Sequence, residues 1–280
     1  MQTEKKVGLA LSGGAVLGIA HLGVIKVLEA YHIPIHYVAG TSAGSLVGAF
    51  LAAGYSFAQM WEIAQELSWG KIGGVTIPKM GLLNSKLLER YIEKKMGKRN
   101  FSDLVLPFAA VAVDITTGKE FIFTEGRVAE GVRASCIIPG LLTPLEKNGT
   151  VYVDGGLRNF LPVDVVRRMG ADYVIAVKLI PSINQRKKPE NILEIMLNSF
   201  ELTVRGIAEN SPGGDVDIVP DLDGLNSYDF EQREELLKRG EEAALTQISR
   251  IVQDLREVPR VPGFWERLRK KVTGSALSEL

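Results

Sequence analysis

The sequence has little cysteine and little histidine. One of its 280 residues is a cysteine and three are histidines. The lone Cys136 excludes an internal disulfide, and its apolar neighbours in the sequence are typical of a packed core thiol rather than a nucleophile. No group of cysteines and histidines has the spacing of metal ligands. We therefore expect neither a metal nor another cofactor.

The chain also lacks an excess charge and a long apolar run. Its 33 lysines and arginines balance 33 aspartates and glutamates, so no broad field favours nucleic acid as a partner. No apolar stretch is long enough to cross a bilayer, and the polar start at 1–6 does not have the pattern of a signal peptide. A hydrophobic content of 46% supports a sizeable core. These features predict a soluble, cytoplasmic protein.

The sequence contains a serine motif that no histidine follows. Ser42 lies in Gly40-Thr41-Ser42-Ala43-Gly44, between an apolar strand at 35–39 and an apolar helix start at 46–52. A G-x-S-x-G motif between a strand and a helix is a nucleophile elbow, which exposes the serine hydroxyl. Gly40 and Gly44 suit such a turn because a side chain there would collide with neighbouring backbone. The motif predicts a serine hydrolase.

The order of residues along the chain excludes the usual catalytic triads. His21, His32 and His36 all precede Ser42, and the first aspartate is Asp103. In α/β-hydrolases an acid and then a histidine follow the serine, whereas the chymotrypsin and subtilisin orders place both before it. None of these orders fits, so a different base has to activate Ser42.

Asp154 is the leading candidate for that base. Asn148-Gly149 is a hairpin signal, which predicts a strand over 150–153 and places Asp154 at its end. Gly155 and Gly156 allow a ligand or another backbone to come close. A carboxylate can accept a serine proton when burial raises its pKa. The same Asp-Gly-Gly sequence is also typical of a plain turn, so the sequence leaves both interpretations open.

A glycine-rich turn follows the first predicted strand. Strand 7–11 leads into Ser12-Gly13-Gly14-Ala15-Val16-Leu17-Gly18 and then into a helix over 17–31. Backbone N–H groups of such a turn bind a phosphate or the oxyanion of a tetrahedral intermediate. A dinucleotide site is disfavoured because the next strand ends in the serine motif, not in an acid that could hold a ribose. No Gly-Lys-Ser/Thr is present for a nucleotide P-loop.

Together these segments resemble the patatin-like phospholipase family in its compact bacterial form. The resemblance spans roughly residues 7–255. It rests on the turn at 12–18, the motif at 40–44, Arg133-Ala134-Ser135-Cys136-Ile137-Ile138-Pro139-Gly140, and Asp154-Gly155-Gly156-Leu157-Arg158-Asn159 with Pro162.

The family uses a Ser-Asp dyad without histidine, and the resemblance carries its roles onto this chain. It implies Ser42 as the nucleophile and Asp154 as the base. The implied oxyanion hole is the turn at Gly13, Gly14 and Ala15, to which we add the N–H of Ala43. The glycines expected to support these motifs are Gly18, Gly40, Gly44, Gly155 and Gly156.

Leu17 departs from the family pattern, which usually has arginine or lysine at that place. A neutral side chain removes a cation near the developing oxyanion, which could cost about a hundredfold in rate. A non-catalytic lipid- or protein-binding member of the same fold is therefore an alternative. A serine hydrolase with a lysine base is another, and its candidate residues are Lys26, Lys71 and Lys86.

The alternation of strands and helices predicts the architecture. Strand 7–11, helix 17–31, strand 35–39 and helix 43–53 are typical of parallel βαβ units. Further helices are expected at 57–67, 87–96, 190–209 and 231–255, and further strands at 108–115, 120–123, 173–179 and 217–220. The pattern and the resemblance predict one α/β domain over 1–257, a three-layer αβα sandwich with a mainly parallel central sheet.

Two segments carry further expectations. Residues 69–83 interleave glycine with large apolar side chains, which predicts either a lid over an acyl-binding groove or a loop packed on its own domain. Residues 258–280 mix aromatic residues with arginine and lysine, and such a tail can lie on a membrane surface, cap the domain or dock on a second subunit in a homodimer. The substrate implied by the resemblance is a phospholipid, a lysophospholipid or a simpler lipid ester.

Overall fold

The computed structural model describes residues 5–75, 80–180 and 188–256. The predicted tail at 258–280, and with it the division of the chain at residue 257, lies outside the described residues. The same is true of residues 76–79 within the apolar segment 69–83.

Strands and helices alternate through the described part of the chain. The strands are β1 Val7–Leu11, β2 Tyr37–Thr41, β3 Gly74–Val75, β4 Leu83–Asn84, β5 Phe108–Asp114, β6 Glu120–Phe123, β7 Leu145–Lys147, β8 Thr150–Asp154, β9 Tyr173–Val177 and β10 Val216–Ile218. The helices are α1 Ala20–Ala30, α2 Ala43–Ala52, α3 Phe57–Glu66, α4 Trp69–Ile72, α5 Lys86–Met96, α6 Val128–Ser135, α7 Val163–Arg168, α8 Ile192–Glu209 and α9 Arg233–Arg256. Short 3₁₀ turns lie at Ala15–Ile19, Phe101–Asp103, Gly155–Leu157 and Phe230–Gln232.

The central sheet is mixed, with a parallel half and an antiparallel half. Its order is β10-β9-β1-β2-β5-β8-β7, and β6 pairs with β5 beside this path. The pairings from β10 to β5 are parallel. The pairings of β5 with β6 and β8, and of β7 with β8, are antiparallel. The predicted α/β class with a mainly parallel sheet is therefore correct.

Helices cover both faces of this sheet because successive strand residues point to opposite sides. Leu9 and Leu11 of β1 belong to the larger core, which they share with α1, α2 and α9. Ala10 belongs to a smaller cluster with α7. On that side the helix comes so close that a Cβ on Gly8 would lie 2.0 Å from Val166. This arrangement is the predicted three-layer αβα sandwich.

The register of β5 brings the two candidate catalytic residues together. One edge of β5 pairs with β6. The other edge pairs with β2 along its first four residues and with β8 along its last three. In the strand register, Val111 pairs with Thr41 of β2, and the next residue, Ala112, pairs with Asp154 of β8. β2 and β8 therefore meet end to end along β5, which places Ser42, directly after β2, beside Asp154 at the end of β8.

The predicted hairpin before Asp154 is confirmed. β7 and β8 pair antiparallel from Lys147 opposite Thr150, so two residues form the turn. Asn148 and Gly149 both have positive φ, at 51° and 78°, as a type I′ turn requires. A tight turn of this kind fixes the strand register, and it thereby fixes where β8 ends.

Several predicted bounds differ from the structure, and three of these differences lie near the candidate site. The strand expected at 35–39 is β2 at Tyr37–Thr41, so it runs directly into Ser42. The helix expected at 17–31 is a 3₁₀ turn at Ala15–Ile19 followed by α1, and the turn begins directly after Gly14, whose φ is 154°. The loop expected at 69–83 contains α4 and the two short strands β3 and β4, which pair with each other.

Candidate active site

Ser42 occupies a strained turn between β2 and α2. Its backbone has φ 52° and ψ −125°, a left-handed conformation that costs free energy in any residue other than glycine. The flanking glycines allow this turn to pack. A Cβ on Gly40 would lie 2.3 Å from the carbonyl oxygen of Gly44, and a Cβ on Gly44 would lie 2.3 Å from the carbonyl oxygen of Leu11. Both obstacles are backbone atoms, so neither position tolerates a side chain.

The Ser42 hydroxyl donates a hydrogen bond to Asp154. The distance from Ser42 Oγ to Asp154 Oδ2 is 2.5 Å. The other carboxylate oxygen, Oδ1, accepts the N–H of Gly156 at 2.8 Å, which holds the carboxyl group in place. Gly155 lies so close to β5 that a Cβ would be 2.3 Å from the carbonyl oxygen of Val111. The Asp-Gly-Gly sequence thus forms a turn and also presents a carboxylate to Ser42, so both sequence interpretations apply.

Burial tunes this carboxylate as a base. Asp154 is 1% exposed, whereas Ser42 is 8% exposed. Loss of solvation raises the pKa of Asp154 to about 6, although the hydrogen bonds from Ser42 and Gly156 work in the opposite direction. A carboxylate with this pKa is ionised at neutral pH and still more basic than an exposed aspartate. These are the properties that a general base for Ser42 would need.

The glycine-rich turn lies beside Ser42, and its N–H groups have different partners. The Gly13 N–H donates to the carbonyl of Phe160 at 3.1 Å, so the expectation that Gly13 supplies an oxyanion donor does not fit the structure. No hydrogen-bond acceptor within 5–75, 80–180 or 188–256 receives the N–H of Gly14, Ala15 or Ala43. Gly14 and Ala15 have positive φ, at 154° and 49°. Three of the four predicted donors are thus unengaged at Ser42.

Ser135 is a site residue for which the sequence analysis assigned no role. Its buried Oγ accepts the N–H of Ser42 at 2.8 Å, which ties the strained elbow to α6. Two residues earlier, the buried Arg133 donates to Ser85 Oγ at 2.8 Å and to Glu89 Oε2 at 2.9 Å, which anchors α6 to α5. The segment that carried the resemblance at 133–140 is therefore a support for the elbow. The Arg133-Ala134-Ser135 sequence was the signal from which this supporting role could have been inferred.

His21 is buried on α1 and does not contact Ser42. Its Nε2 lies 2.9 Å from the carbonyl oxygen of Ser12, at the start of the glycine-rich turn. Burial lowers the pKa of His21 to about 4, so the ring is neutral and Nε2 carries the donating proton. In the part of the chain that the structure describes, its Nδ1 has no partner. His21 therefore supports the glycine-rich turn, and it is not a candidate base for Ser42.

The three candidate lysine bases lie elsewhere. Lys26 pairs with Glu241 at 2.5 Å, and Lys71 lies 3.7 Å from Glu66. Lys86 is the first residue of α5. The hydrogen bond of Ser42 to Asp154 leaves the lysine-base alternative without structural support.

A large apolar cavity opens from Ser42. It encloses about 970 Å³, including the part open to solvent. Its walls come from the 3₁₀ turn at Ala15–Ile19, from helices α1 to α5, from the segment 136–142 and from Phe230, and they include Leu22, Val47, Phe50, Met60, Ile63 and Leu88. Apart from Ser42, Trp69, Tyr91 and Cys136, the lining residues within the described ranges have no polar side-chain atom. Such a cavity suits an acyl chain and not a sugar or a nucleotide.

The apolar segment 69–83 forms part of the wall of this cavity. Trp69 and Ile72 of α4 line it, and the indole N–H of Trp69 donates to the carbonyl of Tyr228 at 2.8 Å. Leu82 and Leu83 are tied to the domain, because their N–H groups donate to the carbonyls of Gly140 and Leu141. The described part of the segment is therefore packed on its own domain while it covers the cavity.

A smaller pocket also reaches Ser42. It encloses about 350 Å³, including the part open to solvent, and shares Ala15, Ser42 and Ile138 with the large cavity. Its other lining residues include Asp154, Phe160, Phe200, Glu201, Ser227 and Tyr228, so it is more polar. Ser42 thus stands between an apolar cavity and a mixed pocket, which matches an ester with one apolar and one polar half.

Cys136 lines the large cavity. Burial and the charge of Asp154 raise the pKa of its thiol, which disfavours the thiolate as a nucleophile. Among the described residues, no three His, Cys, Asp or Glu side chains lie together as a metal site would need. None of the described helices has the length and apolar character to cross a bilayer.

Comparisons with known proteins agree with this geometry. A family model described as Patatin-like phospholipase matches residues 9–167. The chain is 27% identical to a "Lysophospholipase NTE1" of Meyerozyma guilliermondii over 99% of this chain and 21% of that protein. It is 35% identical to the human "Patatin-like phospholipase domain-containing protein 6" over 62% of this chain and 13% of that protein. The chain thus spans about a fifth or less of the length of these curated relatives.

Two solved structures share the fold. VipD from Legionella pneumophila superposes with a TM-score of 0.63 over 89% of this chain and 67% of that chain. The type III effector ExoU superposes with a TM-score of 0.51 over 91% of this chain and 54% of that chain. Sequence identity is 14% in both comparisons, so they bear on the fold alone.

Proposed function

Because the chain belongs to the patatin-like phospholipase family, we propose that it hydrolyses the acyl ester bond of a lipid, with Ser42 as nucleophile and Asp154 as base. The observation that carries this proposal is the 2.5 Å hydrogen bond from Ser42 Oγ to Asp154 Oδ2 at a strained elbow. The names of the relatives support a phospholipase or lysophospholipase activity.

In the first half of the reaction, Ser42 becomes acylated. Ser42 Oγ forms a bond to the ester carbonyl carbon while its proton moves to Asp154 Oδ2. The carbonyl oxygen becomes an oxyanion, and the unengaged N–H groups of Gly14, Ala15 and Ala43 are the donors that can stabilise it. The bond from the carbonyl carbon to the alcohol oxygen then breaks, and Asp154 returns the proton to the leaving alcohol.

In the second half, water releases the acyl group. Asp154, ionised again, accepts a proton from a water molecule, whose oxygen attacks the acyl carbon. The intermediate collapses, Ser42 Oγ leaves and takes back the proton, and a free fatty acid forms. The raised pKa of Asp154 serves both halves, since the same carboxyl group has to accept and return a proton.

The linings of the two pockets differ, and each suits one half of the proposed substrate. The large cavity takes the acyl chain, because its lining is almost wholly apolar. The smaller pocket takes the alcohol half, because Glu201, Ser227 and Tyr228 line it. The substrate class that fits both is a lipid ester such as a phospholipid or lysophospholipid.

Labelling with a fluorophosphonate probe, read by intact mass, tests the nucleophile. We expect one adduct on the wild type, none on Ser42→Ala, and one on the control Ser227→Ala, which removes another serine from the smaller pocket. Fatty acid release from lysophospholipid should follow the same pattern. An adduct that persists on Ser42→Ala would remove Ser42 as the nucleophile.

A non-catalytic lipid-binding protein is the second candidate, and Leu17 is the observation that favours it. Leu17 is fully buried, and among the described residues neither pocket is lined by lysine or arginine. The oxyanion would then rely on backbone donors alone. Saturable fatty acid binding by a well-folded wild type that forms no adduct would support this candidate.

A further inference from the structure

We propose that one face of the molecule, beside the two pockets, docks on an anionic phospholipid surface. This docking face consists of Ile192, Ile195, Ser199, Leu202 and Gly206 on α8, together with Met80 and Leu82. The inference rests on the proposed function, because a lipid substrate has to reach Ser42 from such a surface.

The outward side of α8 carries apolar residues where a surface helix normally carries polar ones. Residues 192, 195, 199, 202 and 206 follow each other at helical spacing and share one stripe. Ile192 is 85% exposed, Ile195 is 54% exposed and Leu202 is 55% exposed. No charged residue interrupts the stripe. The structure therefore leaves three large apolar side chains on one line open to solvent.

The polar groups at this stripe are already satisfied. The Ser199 hydroxyl donates to the carbonyl of Ile195 at 2.7 Å, so it does not need water. Beside the stripe, Glu194 accepts the N–H of Glu190 at 2.8 Å, and Arg205 pairs with Glu209 at 2.8 Å. Burying the stripe in a lipid interface therefore leaves no hydroxyl without a partner, which keeps the cost of desolvation low.

A second segment extends the same face. Met80 and Leu82 are 52% and 42% exposed. The Leu82 N–H donates to the carbonyl of Gly140, and a Cβ on Gly140 would lie 2.3 Å from the sulfur of Met196 on α8. Gly140 thus joins the two segments, so their exposed apolar side chains belong to one neighbourhood.

The docking face adjoins both pockets. The inward side of α8 supplies Phe200 and Val204 to the smaller pocket. The segment that meets Leu82 supplies Ile138 and Leu142 to the large cavity. A lipid surface bound here therefore lies next to both pockets. We infer a membrane as the occupant because it would supply a lipid substrate beside Ser42.

Basic residues close to the apolar ones in the sequence are the reason to infer a negatively charged surface. In the sequence, Lys79 directly precedes Met80, and Arg186-Lys187-Lys188 ends four residues before Ile192. Lys188, which lies in the described part of the chain, is exposed. Apolar side chains that insert at the interface, with basic residues at the headgroup level, are the pattern of a peripheral membrane contact.

Vesicle co-sedimentation of the full chain tests this docking face without relying on catalysis. All proteins carry Ser42→Ala, and the vesicles contain phosphatidylcholine with phosphatidylserine as the minor component. The test variant is Ile192→Ser/Ile195→Ser/Leu202→Ser. The matched control is Tyr31→Ser/Val105→Ser/Leu245→Ser, which removes three apolar residues that are 51%, 71% and 50% exposed away from both pockets.

We expect the test variant to partition about a hundredfold less onto the vesicles, and the control to partition as its parent does. Met80→Ser/Leu82→Ser, on the other segment, should weaken binding about tenfold. Binding should fall when phosphatidylserine is omitted or salt is raised. Equal partitioning of the test variant and the control would overturn the proposal. The proposal would also be overturned if the protein formed a dimer and the test variant, unlike the control, disrupted that dimer without losing vesicle binding. The stripe would then be a contact between two copies of the chain.

A parallel assay separates this proposal from the proposed function. With Ser42 intact, the test variant should hydrolyse a water-soluble short-chain ester at the wild-type rate and vesicle lipid more slowly. If the wild type does not cleave the soluble ester, the proposed function fails while vesicle binding still decides the docking face. If hydrolysis of both substrates is unchanged in the test variant, the docking face is refuted and the proposed function stands.

Discussion

The buried Asp154 is expected to destabilise the folded protein at neutral pH. Its pKa is about 6 in the fold, against 3.8 for an exposed aspartate. Between these pH values the folded chain retains a proton that the unfolded chain has lost. The free energy of unfolding therefore falls as pH rises through this window and stays low above it. At 1.36 kcal/mol per pKa unit, the full loss is about 3 kcal/mol.

Asp154→Asn removes this cost because an amide cannot ionise. We expect the variant to be more stable than the wild type at about pH 7.5 by up to about 3 kcal/mol, or about 6 °C in Tm. Near pH 4 the advantage should largely vanish, since the folded state is then protonated and the pH lies close to the unfolded pKa of 3.8, where the unfolded state has lost little free energy by ionising. Activity should fall by a factor of about a hundred or more, because the base is lost.

Urea denaturation of both proteins at the two pH values measures the difference. Asp114→Asn is a control of opposite sign, since hydrogen bonds from Thr117 and Thr116 lower the pKa of the exposed Asp114. Stability from Asp114 is present above the unfolded pKa and is lost as pH falls, so this variant should be the less stable one at neutral pH. If Asp154→Asn is not more stable than the wild type at pH 7.5, or gains equally at pH 4, the argument from burial is wrong.

Three further predictions follow from the same geometry. In the wild type, kcat/KM for a soluble ester should rise about tenfold per pH unit up to about pH 6 and then level off, as Asp154 loses its proton; a profile that is flat from pH 5 to pH 8 would exclude it as the base. Leu17→Arg, which restores the usual family residue, should lower stability by several kcal/mol in thermal denaturation, since Leu17 is fully buried; Leu17→Met is the control, and a faster and equally stable Leu17→Arg enzyme would contradict the packing argument. Val47→Trp should fill the apolar cavity and lower kcat/KM for long-chain esters at least tenfold while acetyl esters are spared; equal losses on both would place the acyl chain elsewhere.

The local chemistry of the site was largely predictable from the sequence. A serine between two glycines after an apolar strand implies the elbow, because only glycine permits the close backbone contacts that Gly40 and Gly44 make. Asn148-Gly149 implies the hairpin and thus the end of β8 at Asp154. These features depend on short-range sterics, which a few neighbouring residues determine.

Other features could not be predicted, because they depend on contacts between distant segments. The Gly13 N–H is engaged because Phe160 folds back over the turn, which removes it from the predicted oxyanion donors. Ser135 supports the elbow across 93 positions of sequence. The pairing of β8 with β5 shows the same limit, since the sequence predicts the hairpin of β7 and β8 but not where that hairpin joins the sheet.

The candidate residues can be read from the amino-acid order: a serine at an elbow, no histidine after it, and an aspartate at the end of a strand. That Ser42 and Asp154 meet follows from the folded sheet, because β2 and β8 each pair with β5 and lie end to end along the same edge of it. The fold also decided the strength of the base, since the pKa of Asp154 depends on burial by residues from every part of the chain. Candidate residues can be inferred from residue type and spacing, whereas the distance between two side chains and their burial exist only once the chain has folded.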